Sequence, residues 1–500
     1  MNIKQMLERT ANEVPQKTAI VLGSQRVTYR ELDEASNRVA NALVSLGMKK
    51  GDHVAILMSC TPEWVINYFG IVKAGGITII LNSMLKAPEI GSLLRDSDSK
   101  ILITERGFSQ MLSSVLPDIP LLKHIVEIDG DSYQKMVASS SAISPTVDIK
   151  DGDETAIIYT SGVLGKQKGV VHTHTSLMAV VTTVAPGLGQ KREDICIGMI
   201  PFFYALGLAV VALISFYKGS TIVILPRFTP RNLLEAVEQE KATMLVGVPA
   251  MYNALAMLDE DTLKRYDLSS LRMVLSAGAK SSAHLMKALE EKFGLTFCDV
   301  YGTTEALGVS FGDIHNRKLG TAGKPIQEIK LIDAAGKEVP QGEIGEIVSR
   351  SPQVMKGYYK QPELTAQVLK NGWFYSGDLV RMDEDGYIEY IEKKSFIIVT
   401  SAGVKIPPTE VEDVLLKHPA VAEAAYVGVM DEHKGQIPTL FVVLKEGQSV
   451  TTKEIRKFCR QSLANYKLPH KIEFVDSIPK TGSGKIDRRQ LKERGIAEGV

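Results

Sequence analysis

Apolar positions along this chain follow two rhythms that alternate. From Tyr29 to Leu46 the residues Leu32, Ala35, Val39, Leu43 and Leu46 recur at the spacing of one helix face. A turn at Gly51-Asp52 follows, and the run His53 to Met58 then reads as a buried strand. Trp64 to Lys73 predicts a helix, and Ile77 to Leu81 and Lys100 to Thr104 predict further strands. Strands apolar on both faces and separated by helices imply parallel α/β layers. The pattern returns between 155 and 310, with strands expected at Ala156–Tyr159, Ser220–Leu225, Met244–Gly247 and Met273–Ser276. From 320 to 392 the texture changes: turns such as Ala335-Gly336, Gln341-Gly342 and Asp385-Gly386 separate short strands, a β-rich subdomain. The last stretch predicts a compact α+β unit. Its elements are a helix at Glu410–Leu416, strands at Ala424–Val429 and Thr439–Leu444, a helix at Lys453–Leu463 and a strand at Lys471–Val475. The expected organisation is α/β, with a large N-terminal domain over 1–393 and a small α+β C-terminal domain over 394–500.

One segment departs from both rhythms. Ile200 to Tyr217 carries no charged side chain and is long enough to be tested as a membrane span. Pro201 near its start and Gly207 within it favour a buried helix lining an apolar pocket. The opening residues, Met1 to Glu8, carry an acid early and lack a long apolar stretch, so they are not expected to be a signal peptide. Lys+Arg and Asp+Glu both number 58 in 500 residues, which argues against a nucleic-acid binder. Cys60, Cys196, Cys298 and Cys459 are scattered without metal-ligand spacing, as expected of thiols in a reducing, cytoplasmic compartment.

Candidate chemistry lies in two distant segments. Tyr159-Thr160-Ser161-Gly162-Val163-Leu164-Gly165-Lys166-Gln167-Lys168-Gly169-Val170 is a glycine-spaced loop after an apolar strand. Its backbone N–H groups can approach phosphate oxygens, and Lys168 adds charge. Pro479-Lys480-Thr481-Gly482-Ser483-Gly484-Lys485-Ile486-Asp487-Arg488 places Lys485 in a pliant setting near the C-terminus. Together the two segments point to ATP-driven chemistry on a carboxylate. His172 and His174 have the i, i+2 spacing of a strand-borne metal pair, but no further ligand stands near them in sequence, and a helix start is the preferred reading.

These two segments, with Val27-Thr28-Tyr29-Arg30-Glu31-Leu32, Tyr301-Gly302-Thr303-Thr304-Glu305, Gly342-Glu343-Ile344-Gly345-Glu346 and Trp373-Phe374-Tyr375-Ser376-Gly377-Asp378, resemble the adenylate-forming superfamily of acyl-CoA synthetases, adenylation domains and luciferases. The resemblance runs over essentially the whole chain. It implies a β-barrel-like subdomain within the large domain and a mobile small domain that caps it. It implies an acid–thiol ligase that makes an acyl-AMP from ATP and a carboxylic acid and then an acyl-CoA, with Mg2+ as the metal. It implies catalytic roles for Lys485, Thr304 and Glu305, with Glu305 also holding the metal. The nucleotide would meet Thr160, Ser161, Gly162, Gly165, Lys168, Gly278, Ala279, Tyr301, Gly302, Asp378 and Lys393. The acyl pocket would be lined by Tyr204, Leu206, Val210, Val248, Met251, Tyr252, Ala306 and Leu307, and the CoA tunnel by Ser401, Ala402 and Gly403.

The absence of an evident basic partner for a second carboxylate favours an apolar monocarboxylic acid, a medium- or long-chain fatty acid or a relative of one. Expected partners are thus this small acid, ATP and CoA, without nucleic acid and without a transmembrane segment. Peripheral membrane contact and a homodimer stay open. The chain also departs from the superfamily pattern. Val163, Leu164 and Gln167 replace two threonines and a proline in the loop, and no arginine follows the Asp385-Gly386-Tyr387 turn, where Glu392 and Lys393 stand. Each lost hydrogen bond to a charged group costs about 1.5–3 kcal/mol. Two other readings therefore stand beside the ligase: a non-catalytic nucleotide- or acyl-AMP-binding homologue, and a ligase that loads a carrier protein instead of CoA.

Overall fold

The computed structural model describes residues 1–160, 167–399, 405–431, 435–463, 465–481 and 484–497. They fall into two compact units, Met1–Glu328 with Ser349–Phe374, and Ile329–Val348 with Tyr375–Val500.

The first unit is built on two largely parallel sheets. In one, the parallel strands Thr18–Leu22, Thr221–Ile224, Ile195–Gly198, Met244–Gly247, Met273–Ala277 and Thr296–Tyr301 lie side by side in that order. In the other the order is His124–Glu127, Ile101–Thr104, His53–Leu57, Ile77–Ile80 and Glu154–Thr160. Alternate residues of each strand serve opposite faces, the period-2 consequence of the pleat. Ile56, Ile80, Ile103 and Ile158 of one sheet and Ile222, Met244, Val246 and Leu275 of the other join a single buried core with the helices Tyr29–Ser45 and Pro62–Lys73. The opposite faces carry separate cores. Ile79, Leu102 and Ile157 pack with helix Ala87–Asp96, while Val223, Leu245, Val274 and Phe297 pack with helices Pro230–Glu240 and Ala283–Phe293. Helix, sheet, helix, sheet and helix thus form successive layers.

The predicted starts and stops have local causes. Thr28 caps helix Tyr29–Ser45 by accepting from Glu31 N while the Glu31 side chain returns to the Thr28 N–H, a reciprocal capping box. Thr61 caps the next helix, with Pro62 at its first position. The uncharged segment after Ile200 is a buried helix, as its sequence implies. Residues Leu206–Leu213 wind as a π-helix and pass into the α-helix Ile214–Lys218. Gly207 is required there, because a Cβ would lie 2.1 Å from the Pro201 carbonyl oxygen. Among the described residues no helix is long and apolar enough to cross a membrane.

The second unit holds most of an antiparallel sheet that includes Glu328–Ile332, Ile344–Arg350, Trp373–Met382 and Ile388–Lys393. It also holds the three-stranded sheet of Val421–Asp431, Gly435–Leu444 and Lys471–Phe474. Tyr426, Leu440 and Val442 face helices Pro408–Leu415 and Thr452–Ser462, while Val427, Val429 and Phe441 face Leu491 of helix Arg488–Ala497.

Candidate active site

The glycine-rich loop joins two antiparallel strands. Glu154–Thr160 pairs with Lys168–Thr173, with Tyr159 opposite Gly169 and Thr160 opposite Lys168. Ser161, Gly162 and Gly165 lie outside the described residues. Among the described residues the chain leaves the loop as a strand rather than a helix, and Lys168 carries positive charge at the mouth of the hairpin. Gly169 is fixed by packing, since a Cβ would lie 2.9 Å from Ile157 Cγ2 and 3.2 Å from the Tyr159 ring.

Thr304 and Glu305 sit on a tight turn. The Thr303 N–H donates to the Ala306 carbonyl at 3.0 Å, and the Ala306 N–H donates to Thr303 Oγ1 at 3.1 Å. Gly302 lets the chain pass close to itself, because a Cβ there would lie 2.6 Å from Gly308 N. Two contacts hold this turn to the hairpin. His172 Nε2 lies 2.8 Å from the Thr304 carbonyl oxygen, which can only accept, so Nε2 carries the hydrogen. Burial pushes the His172 pKa down to about 4, so the ring is neutral. The Tyr358 phenol donates to Glu305 Oε1 at 2.8 Å, and Tyr358 pairs with Val170 of the hairpin strand.

Tyr301 and Gly278 stand at the carboxyl ends of neighbouring parallel strands, the side on which open α/β sheets hold their ligands. Gly278 has φ +83°, which a residue with a side chain rarely adopts, and Ala279 follows it. Asp299, opposite Ser276, is buried, and desolvation holds its carboxyl well above the usual range despite bonds to Ser281. The acyl-pocket candidates divide between two cores. Tyr204, Leu206, Val210 and Leu307 belong to the core between the sheets, whereas Met251 and Tyr252 belong to the outer core of the first sheet. Tyr252 is fully buried and its hydroxyl donates to the Leu275 carbonyl at 2.7 Å. Ala306 is buried and bridges to Val354, and Val248 precedes helix Pro249–Ala256.

In the second unit, Asp378 and Lys393 are cross-strand partners, with Nζ 3.0 Å from Oδ1. Asp378 is buried, and its N–H donates to Ser376 Oγ at 3.0 Å. Lys485 is exposed on a short hairpin turn, where the Thr481 N–H donates to the Lys485 carbonyl at 2.7 Å and Lys480 bridges Ile486. Ser401, Ala402 and Gly403 lie outside the described residues.

Residues 7–359 match the family model described as AMP-binding enzyme, and residues 410–485 match its C-terminal domain. The chain belongs to the AMP-binding enzyme family. This AMP-binding enzyme is 35% identical over 491 residues to a feruloyl-CoA synthase of Amycolatopsis sp, covering 97% of each chain. It is 32% identical over 533 residues to a long-chain-fatty-acid–CoA ligase of Bacillus subtilis, covering 98% of this chain and 94% of the relative. Its structure is similar to that of the anthranilate CoA ligase AuaEII in complex with anthranoyl-AMP, with a TM-score of 0.93 and 31% identity over 100% and 98% of the two chains. It is an AMP-forming acid–thiol ligase that uses ATP, Mg2+ and CoA.

The residues present fit the metal. A hard cation takes oxygen ligands, and with Oε1 of Glu305 engaged by Tyr358, Oε2 accepts no hydrogen bond among the described residues. The two histidines form no metal pair. His174 opens helix His174–Gly187, as expected, and accepts from Ile3 N, whereas His172 lies within strand Lys168–Thr173 rather than at a helix start and bonds Ser176 and Thr304. Among the described residues no group of three or more metal-ligating side chains gathers. Sequence reasoning missed His172 as a partner of Thr304, Tyr358 as a partner of Glu305, and Asp299. Only Asp299 leaves a signal in sequence, as an acid within the otherwise uncharged strand Thr296–Tyr301.

Proposed function

We propose that this ligase activates an apolar monocarboxylic acid, alkyl or aryl, as its adenylate and transfers the acyl group to CoA. The carboxylate attacks the α-phosphorus of ATP, the bond to pyrophosphate breaks, and acyl-AMP forms. The CoA thiolate then attacks the acyl carbonyl and releases AMP. Lys485 places a cation where charge develops on the α-phosphate and the attacking carboxylate. Thr304 donates to the α-phosphate, and Asp378 accepts from the ribose hydroxyls. Glu305 would hold Mg2+, which would supply positive charge beside the phosphate oxygens. The small domain, 394–500, turns near residue 394 between the half-reactions. We place the enzyme in the cytoplasm, in keeping with its four free cysteines.

The observation that carries this reading is the joining of the Thr304-Glu305 turn to the Thr160/Lys168 hairpin through His172 and Tyr358. It supports one phosphate-facing arrangement made from motifs more than a hundred residues apart. The acid class is supported by two segments without a charged side chain, residues 200–213 and 306–309, which share the core between the sheets. A second carboxylate there would be desolvated without a partner. The names of the relatives, which include feruloyl-CoA synthase and long-chain-fatty-acid–CoA ligase, fit both aryl and alkyl acids.

The test is acid-dependent exchange of pyrophosphate into ATP, with Mg2+, over short, medium, long, aromatic and dicarboxylic acids. Exchange confined to apolar monocarboxylic acids is the expected result. A dicarboxylate as best substrate would reject the acid class. No exchange with any acid, alongside measurable AMP binding, would reject adenylation despite Val163 and Leu164.

A further inference from the structure

Glu305 is half-exposed at the tip of a turn, and a carboxylate in that position can rotate about its last torsion. One contact limits it. The Tyr358 hydroxyl, 2.8 Å away, donates to Oε1 and so directs Oε2 outward. Tyr358 is itself held from several sides. It is 6% exposed, its N–H donates to Thr365 Oγ1 at 2.9 Å, and the strand Gly357–Tyr358 pairs with Val170 and Val171. The Met355 N–H also donates to the Glu305 carbonyl at 2.7 Å, so the same short segment grips the turn by its backbone. Gly357 has φ +158° and lies against Thr365, whose Cγ2 would be 2.9 Å from a Cβ, which keeps this grip close.

The π-face of the same ring meets the phosphate-loop lysine. Lys168 Nζ lies 5.0 Å from the centre of the Tyr358 ring, within cation–π range. One buried aromatic therefore touches both the anion read as the metal ligand and the cation read as the phosphate partner. Its hydroxyl serves the first and its π-face the second. Lys168 and Glu305 are 137 residues apart in sequence, and Tyr358, on a strand paired to the hairpin, touches both side chains.

We propose that Tyr358 is a positioning residue that sets Glu305 and Lys168 in register for magnesium-bound triphosphate. It acts through those two side chains and touches neither metal nor nucleotide. The inference rests on Glu305 as the metal-holding residue, so its test separates the two claims. Partners that orient a ligating carboxylate commonly change metal affinity by about 10–100-fold when removed.

The experiment compares wild type, Tyr358→Phe, Glu305→Gln and the double variant. Mn2+ binding is read by electron paramagnetic resonance in the presence of α,β-methylene-ATP, AMP binding is read without metal, and Tm is measured for each. Tyr358→Phe keeps the ring, the strand pairing and the cation–π contact, and removes only the hydroxyl. We expect its Mn2+ affinity to fall about 10-fold and the Mg2+ needed for half-maximal pyrophosphate exchange to rise in step, with AMP affinity unchanged. In the Glu305→Gln background the same change is expected to add little, because the group it acts through is already altered. Unchanged metal affinity in Tyr358→Phe, with a weakened Glu305→Gln, would overturn the positioning role and leave the metal role standing. Unchanged metal affinity in Glu305→Gln would overturn the metal reading itself. Equal loss of AMP and Mn2+ binding together with a lowered Tm would make Tyr358 a packing residue only, and would also overturn the proposal.

Discussion

Gly302 shows how much a single atom decides in this site. Its neighbours Thr303 and Ala306 exchange two hydrogen bonds, and the turn closes only because the chain at Gly308 passes within a distance no Cβ tolerates. Gly302→Ala is therefore expected to cost about 1–3 kcal/mol of stability by overpacking. It is also expected to lower pyrophosphate exchange at least tenfold by displacing Thr304 and Glu305. Calorimetry and the exchange assay check both, and full activity with an unchanged Tm would refute the account. Residues at this scale were unevenly legible in sequence. Thr304 and Glu305 lie in a run marked by its resemblance to the superfamily. His172 and Tyr358 do not, since their partners lie 132 and 53 residues away and nothing local signals them. His172 even misleads, because its spacing to His174 mimics a metal pair while its ring is spent on a backbone carbonyl.

Strands and helices were legible where one physical rule dominated. Apolar runs such as Ile77–Ile80 and Met244–Gly247 are buried on both faces, so the run itself marks the strand. The hairpin at the phosphate loop was not legible, because the run Ala156–Ile158 reads alike whether the chain returns as a strand or goes on to a helix. That hairpin carries the acid sensitivity of this element. His172 and His174, at the end of the second strand and the start of the next helix, are each pushed to about 4 by burial. A histidine with a depressed folded pKa contributes stability that is complete above its unfolded value, near 6.5. That stability is lost as pH falls toward 4. For His172 the loss approaches roughly 3 kcal/mol, at 1.36 kcal/mol per pKa unit. His172→Gln keeps a donor toward the Thr304 carbonyl and removes the titration. Its Tm should fall less between pH 6.5 and 4.5 than that of the wild type, measured by circular dichroism, and parallel curves would exclude His172 as the source.

At the scale of the whole chain, the role proposed for Lys485 is testable by separating the two half-reactions. The exposure of Lys485 was legible from the glycines around it, but its neighbour Arg488 was not legible as a buried hub. Lys485→Ala is expected to abolish acyl-AMP formation while sparing CoA thioester formation from supplied acyl-AMP, and equal loss of both would reject the assigned role. Arg488, three residues on, anchors the helix that follows. It binds Glu412 through two hydrogen bonds of 2.5 and 2.9 Å and reaches Glu392 by one contact of 3.3 Å. One guanidinium thus faces two buried carboxylates, and the carboxylate with the poorer share is Glu392. Burial raises its pKa to about 7, opposed by Arg488, with the charges of Glu412 and Asp378 adding to the rise. A carboxyl whose folded pKa lies above its unfolded value is most stabilising when protonated. This cluster is therefore tightest below about pH 4.5, and its stability is lost as pH rises through 7, a sign opposite to that of the two histidines. Glu392→Gln mimics the protonated form and keeps an acceptor for the Lys393 N–H, which donates to Oε1 at 2.8 Å. Amide hydrogen exchange in helix Arg488–Ala497 should therefore speed up between about pH 4.5 and 7 in the wild type, beyond the intrinsic pH effect, and not in Glu392→Gln. An excess pH dependence that survives the substitution would place the titrating group elsewhere than Glu392.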